Sequence, residues 1–200
     1  TSPASFLHVA VDIDELNTLN FHRESRKKDY DARLKTNILN TDKLVGFRNS
    51  IFNYLVGGTI RQIQETDDDL WTKPYHCAFL MHTSQLQKVH KAQNGLVKLL
   101  INKLTELNRN ELSNYFQSSY DQLSESINLG GFILPGFDSV IDGIMNALSN
   151  NHVGIIEVNS ENQIAALLGD DGQLRLDNPF NIFVGGQSLD RGITIDHLIG

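Results

Sequence analysis

The stretch FNIFVGGQSLDRGITI, residues 180–195, determines how the rest of the chain is interpreted. A short apolar run ends in Gly185 and Gly186, an Arg–Gly pair follows at 191–192, and β-branched residues then resume. Such a run is typical of a strand buried on both faces, as in a parallel sheet. Glycine lets a ligand approach the main chain closely, and arginine supplies a fixed cation with bidentate geometry. We therefore predict a buried strand that leads into an anion-binding loop, with a tight turn at the two glycines as the alternative.

Two other segments pass in the same way from apolar to small polar residues. They are FLMHTS at 79–84 and IIEVNS at 155–160. In an open parallel sheet, ligands bind outside the carboxyl ends of the strands, so the three tails are expected to share one edge. Hydroxyl groups, an amide and glycine N–H groups all suit phosphate oxygens. The predicted fold class is therefore α/β, with a parallel sheet flanked by helices.

Helical periodicity separates these strands. An apolar stripe of Leu44, Phe47, Ile51 and Leu55 predicts a helix over 42–64, which Gly57 and Gly58 are expected to interrupt or kink. Further helices are predicted at about 85–107, 110–127 and 138–148, and an additional strand at 6–11. The segment GFILPGF at 131–137 is interpreted as a loop that caps the core, with an exposed docking surface as the alternative.

Composition limits the classes of function. The chain has 200 residues, 40% of them hydrophobic, and a net charge of −7, so any site for a polyanion must be local. A single cysteine, Cys77, cannot form an internal disulfide, which favours a cytoplasmic protein. No apolar run approaches the ~20 residues of a membrane span. Because the chain opens on Thr1 and stops just after an apolar run, we expect it to be part of a longer protein.

Three segments together resemble a known family. IFVGGQSLDRGITIDHL at 182–198, AFLMHTSQLQKVH at 78–90 and TSPASFL at 1–7 are similar, in order and spacing, to the Z-one domain. That family of uncharacterised endonucleases is attached to superfamily-two helicases. The present chain has Asp190 where the family usually has Ser, and residues 107–150 carry no motif that matches.

The resemblance implies a single RecA-like second lobe of a helicase-type ATPase over residues 1–200, with a helical insertion at about 107–150. It implies a nucleotide-binding set and a nucleic-acid-binding set. The first set is Gly185, Gly186, Asp190, Arg191, Gly192 and Thr194; the second is Thr83, Ser84, Asn159 and Ser160.

The same resemblance implies that some parts of the ATPase lie in another region of the parent protein. No phosphate-binding loop of the Walker type occurs in residues 1–200, so ATP and Mg²⁺ would be held together with a first lobe of the parent protein. This chain alone is expected to be inactive. The implied partners are that first lobe, the backbone of DNA, and a nuclease or other subunit of a restriction or repair system.

Simpler roles compete with each of these assignments. For Arg191 the alternative role is an ion pair with a neighbouring acid. For Thr83 and Ser84 the alternative role is helix capping, and for Asn159 with Ser160 it is a turn. His76, Cys77, His82 and His90 do not have the spacing of a structural zinc site, and Asp67–Asp69 is interpreted as a solvated loop. No catalytic or metal-binding residue is assigned. Three functions therefore remain: the motor lobe, a non-catalytic interaction module whose docking surface is the helices of residues 85–150, and a small-molecule enzyme that uses Asp190, Asp196 or His197.

Overall fold

The computed structural model describes residues 37–66, 73–81, 87–158, 160–169, 172–185, 195 and 197–199. Within these residues, a 3-10 turn at Asp42–Leu44 precedes five α-helices and three β-strands. The helices are α1 (Val45–Glu65), α2 (Gln87–Thr105), α3 (Arg109–Leu129), α4 (Phe137–Ser149) and α5 (Glu161–Leu167). The strands are β1 (Cys77–Met81), β2 (Val153–Val158) and β3 (Phe180–Gly185).

The three strands form one parallel sheet in the order β1-β3-β2. The strand latest in sequence therefore lies in the middle, which explains why all six residues of β3 are buried. The α/β class and the parallel sheet flanked by helices, as predicted from the apolar runs, are confirmed for the described residues.

The two faces of the sheet are covered differently. Odd-numbered residues of β1 and even-numbered residues of β3 face the main core, which α1 and α2 cover. The opposite face belongs to a smaller cluster of Ala78, Val158, Ile164, Leu174 and Phe183, to which α5 contributes. Alternation of side chains along each strand divides the apolar residues between the two clusters.

Helix α1 is the central helix of the main core. It lies between the sheet, which it touches at Gly58, and the helices α3 and α4. The rings of Phe52 on α1 and Phe116 on α3 are 4.8 Å apart between centroids. Because α1 is enclosed on several sides, most of its residues are buried, and the simple apolar stripe of the sequence understates its burial.

The prediction that Gly57 and Gly58 would interrupt this helix is wrong, and the alternative of a kink stays a prediction. Helix α1 continues through both residues. A Cβ atom at Gly58 would lie 2.6 Å from Cε1 of Phe180 and 2.8 Å from Sγ of Cys77. The glycine therefore permits close contact between the helix and the sheet, and this contact offsets the weak helix propensity of glycine.

Helices α2, α3 and α4 agree with their predicted positions. The apolar face of α2 is buried, as expected. Helices α3 and α4 pack on α1, and Arg109 at the start of α3 pairs with Asp138 and Asp142 of α4 at 2.8 Å each. No helix among the described residues is long and apolar enough to cross a membrane.

The segment between α3 and α4 differs from its prediction as a loop that caps the core. Leu134 and Phe137 do pack against the core. The tip, however, points outward, with Leu129, Phe132 and Ile133 exposed at 90%, 49% and 86%. The expected strand at 6–11 and the acidic segment Asp67–Asp69 lie outside the described residues.

Candidate functional site

The carboxyl ends of all three strands lie at one edge of the sheet. Met81 of β1 and Glu157 of β2 both pair with Val184 of β3, and Val158 pairs with Gly185 in the next position. The three strands thus end within one residue of each other. Since the predicted binding loops follow these ends directly, their starting points are adjacent, as the sequence argument requires.

Two of the ten predicted site residues belong to the described part of the chain. Gly185 is the last residue of β3 and is buried. Ser160 is the N-cap of α5, where its hydroxyl accepts a hydrogen bond from the backbone N–H of Gln163 at 3.3 Å. The others lie outside the described residues: Thr83, Ser84, Asn159, Gly186, Asp190, Arg191, Gly192 and Thr194. Their roles as ligand-binding residues stay predictions.

The chain returns to the sheet just after the Arg–Gly motif. Leu198 forms a parallel bridge with Ala78, on the side of β1 opposite to β3. The backbone N–H of Ala78 donates to the carbonyl of His197 at 3.0 Å, and that of Ile199 donates to the carbonyl of Ala78 at 2.9 Å. The motif therefore lies in a connection between the carboxyl end of the central strand and the outer side of β1.

Aromatic stacking holds the end of this connection. The ring of His197 stacks on Tyr75 at 4.4 Å between centroids, and the Arg61 guanidinium lies 5.4 Å from the centre of the same tyrosine ring. Nδ1 of His197 is 2.8 Å from the carbonyl oxygen of His76. These contacts fix one end of the motif-bearing segment near the amino end of β1, whereas Gly185 fixes the other at the carboxyl edge.

A buried polar group that the sequence analysis missed lies at the same carboxyl edge. His90, Gln93 and Asn94 of α2 are only 1%, 0% and 8% exposed. Nδ2 of Asn94 donates to Oε2 of Glu157 at 2.7 Å, and Glu157 is the second-last residue of β2. The inward face of α2 is thus polar between the buried Val89 and Val97, and it is apolar from Val97 onward.

The sequence contains a pattern that could have revealed the buried polar residues of α2. Positions 90, 93, 94 and 97 have the spacing of one helix face, so the three polar residues continue the apolar stripe of α2 toward its N-terminus. Polar residues on a core-facing stripe are uncommon without a partner. The partner, Glu157, is 63 residues away in sequence, so only the fold reveals the pair.

The amino end of the sheet has a different polar network, which is structural. The Tyr54 hydroxyl donates to the carbonyl of Cys77 at 3.0 Å and accepts from the backbone N–H of Asn181 at 2.7 Å. Burial raises the pKa of the Cys77 thiol to about 12, so it is protonated and unreactive at neutral pH. Within the described ranges, no three His, Cys, Asp or Glu side chains form a group that could hold a metal ion.

Comparison with known families and proteins gives one informative result. The family model of the Z1 domain matches residues 47–200. No curated protein and no solved structure matches the chain. The matched region includes α1 from its third residue, every later element to β3, and the connection that follows β3.

Proposed function

Because the chain belongs to the Z1 domain family, we propose that it is the second, RecA-like lobe of a helicase-like, nucleic-acid-dependent ATPase. The observation that supports this proposal is the shared carboxyl edge of three parallel strands, from which the motif segments leave. A parallel sheet binds ligands at that edge because the loops and helix N-termini there present hydrogen-bond donors to an anion.

The proposed roles divide between two parts of the edge. After β3, Gly185 and Gly186 allow close approach of a nucleotide, Arg191 stabilises its phosphates, and Asp190, Gly192 and Thr194 complete the nucleotide-binding segment. Thr83 and Ser84 after β1, with Asn159 and Ser160 after β2, bind the phosphate backbone of DNA. ATP and Mg²⁺ are shared with a first lobe in a longer parent protein, since phosphoryl transfer needs the metal, the phosphate-binding loop and an arginine together.

The proposed setting is a DNA restriction or repair system in the cytoplasm. The lone, buried, protonated Cys77 fits a reducing compartment. The nuclease or other subunit that would cut DNA is a proposed partner, and the proposed contribution of this chain is ATP-coupled movement on DNA.

Substitution of Arg191 tests the motor function directly. In the intact parent protein, Arg191→Ala is expected to lower DNA-stimulated ATP turnover at least about 100-fold, because removing an arginine from the transferring phosphates has effects of this order or larger. A matched control is Arg175→Ala, an exposed arginine whose guanidinium donates to the carbonyl of Ala166 at 2.8 Å. Turnover is measured with and without DNA, and circular dichroism checks folding. Equal turnover in the two variants would remove Arg191 from the mechanism.

A second candidate function, a non-catalytic protein-interaction module, has its own supporting observation. Leu129, Phe132 and Ile133 form an exposed apolar tip between α3 and α4. The net charge of −7 also favours a protein partner over DNA. Salt-dependent DNA binding by the chain separates the two functions: an affinity that falls steeply between 50 and 200 mM salt supports the motor lobe, and the lack of any such binding supports the interaction module.

A further inference from the structure

Asn94 presents a buried hydrogen-bond acceptor at the carboxyl edge of the sheet. The residue is 8% exposed, and its Oδ1 atom has no hydrogen-bond partner among the described residues. Buried polar atoms in folded proteins almost always have a partner, whether protein, water or ligand. The Asn94 oxygen is therefore an acceptor that needs a donor from outside the described structure.

Glu157 determines which way the Asn94 amide points. An ionised carboxylate can only accept hydrogen bonds, so the amide nitrogen of Asn94 must face it, as the 2.7 Å contact between Nδ2 and Oε2 requires. The amide oxygen is then directed away from the carboxylate. The reverse orientation would place two acceptors against each other, so the orientation follows from the chemistry of the pair.

The pair discriminates between the parts of a nucleotide. A phosphate group offers only acceptors and negative charge, and both Asn94 Oδ1 and the Glu157 carboxylate would repel it. A ribose hydroxyl or the amine of a base can donate, and either would satisfy the open acceptor. Glu157 is half-buried at the penultimate position of β2, so the pair lies at the margin of the edge and not deep in the core.

We propose that Asn94 and Glu157 bind the nucleoside part of the nucleotide, by accepting a hydrogen bond from a sugar hydroxyl or a base amine. This inference rests on the proposed nucleotide-binding function and assigns two residues to it that the motif segments do not contain. The phosphates are then left to the segment after β3, and the two ends of the ligand are recognised by opposite hydrogen-bonding chemistry.

The first experiment varies the ligand and leaves the protein unchanged. Calorimetric titration of the 200-residue chain compares ADP with 2′,3′-dideoxy-ADP, which lacks both sugar hydroxyls, with inosine diphosphate, which lacks the base amine, and with pyrophosphate. One of the two analogues is expected to bind about tenfold or more weakly than ADP, the size of one lost hydrogen bond to a buried group. The analogue that binds more weakly than ADP identifies the hydrogen-bond donor: weaker binding of the dideoxy analogue indicates the sugar, and weaker binding of inosine diphosphate indicates the base.

The second experiment varies the residue. Asn94→Leu keeps the branched shape of the side chain and removes the acceptor together with the Nδ2 donor to Glu157. ADP affinity is therefore expected to fall about tenfold or more while pyrophosphate affinity stays within about twofold. The matched control is Asn53→Leu on α1, another asparagine that is 7% exposed and has a buried amide oxygen without a partner among the described residues. That variant is expected to bind ADP like the unaltered chain.

Each result decides between the two proposals. Equal affinity of ADP and both analogues for the unaltered chain, or equal loss in the Asn94 and Asn53 variants, overturns the nucleoside assignment and leaves the nucleotide site standing. If neither ADP nor pyrophosphate binds the 200-residue chain, the titration is repeated on the intact parent protein, in which the first lobe completes the site. Failure of both ligands to bind there as well overturns the proposed nucleotide site and this inference together.

Discussion

The Tyr54 hydroxyl shows how much a single polar atom can hold together at the amino end of the sheet. It accepts from the backbone N–H of Asn181 on β3 and donates to the backbone carbonyl of Cys77 on β1. One side chain of α1 therefore satisfies backbone groups on two neighbouring strands. The tyrosine is 2% exposed, and burial raises its pKa well above the ordinary value.

Tyr54→Phe is expected to lower the free energy of unfolding by about 1–3 kcal/mol, because it leaves the Asn181 N–H buried without its acceptor. The control is Tyr115→Phe, whose hydroxyl donates to Oδ1 of Asn40 at an exposed position. That change is expected to stay within about 0.5 kcal/mol. Urea denaturation of both variants checks the difference, and similar values for the two would show that the Tyr54 hydroxyl is not a significant support of the sheet.

At the scale of elements, a single glycine decides how closely helix α1 packs on the sheet. Helix α1 approaches β1 and β3 so closely at Gly58 that a methyl group there would overlap the Phe180 ring. Helix α2 also contains a glycine, Gly95, but this residue is exposed and a Cβ there would meet nothing within 4 Å. Both glycines weaken the local helix, and only one of them serves a packing purpose.

Alanine substitutions at Gly58 and Gly95 are expected to change the stability of the chain in opposite directions. Gly58→Ala is expected to destabilise the chain by about 1–3 kcal/mol, since the gain in helix propensity does not compensate for overpacking against Phe180 and Cys77. Gly95→Ala is expected to stabilise it by about 0.5–1 kcal/mol through helix propensity alone. Thermal unfolding of the pair measures both. A stable Gly58→Ala variant would mean that α1 can move away from the sheet at little cost.

The whole molecule has one main core that joins the sheet to the helical region of residues 107–150. The same cluster includes Phe116 of α3, Val140 of α4, Phe52 of α1 and Phe180 of β3. Helix α1 is the link, because it touches the sheet on one side and α3 and α4 on the other. The helical region and the sheet are therefore expected to unfold as one cooperative unit.

Phe116→Ala tests this cooperativity from the side remote from the sheet. Phe116 is 0% exposed, so its truncation is expected to cost about 3–5 kcal/mol of unfolding free energy. If the core is one unit, hydrogen exchange of the β3 amides accelerates by the corresponding factor. Unchanged protection of β3, with faster exchange confined to α3 and α4, would instead show that the helical region unfolds by itself.

Much of the local structure could be predicted because it depends on short-range patterns. The three apolar runs were long enough for strands and too short for helices. The lack of alternation in β1 and β3 indicated burial on both faces in a parallel sheet, whereas β2 is half-buried over most of its length. The face of α2 at Val97, Leu100, Ile101 and Leu104 followed from helical spacing. The pattern failed at Gly58, where contact with the sheet overrides propensity, and at Phe132 and Ile133, whose exposure no local rule predicts.

The sequence by itself determined which three segments become β1, β2 and β3, that these strands are parallel, and that polar motif segments follow their carboxyl ends. The tertiary structure alone decided that β3 lies between β1 and β2, that Leu198 returns to the outer side of β1, and that Asn94 meets Glu157. The physical reason is that strand formation and burial depend on the periodicity of neighbouring residues, whereas strand order and polar pairing depend on contacts between residues far apart in the chain. Those pairings depend on how whole elements pack, and a periodic pattern within one element contains no information about its neighbours.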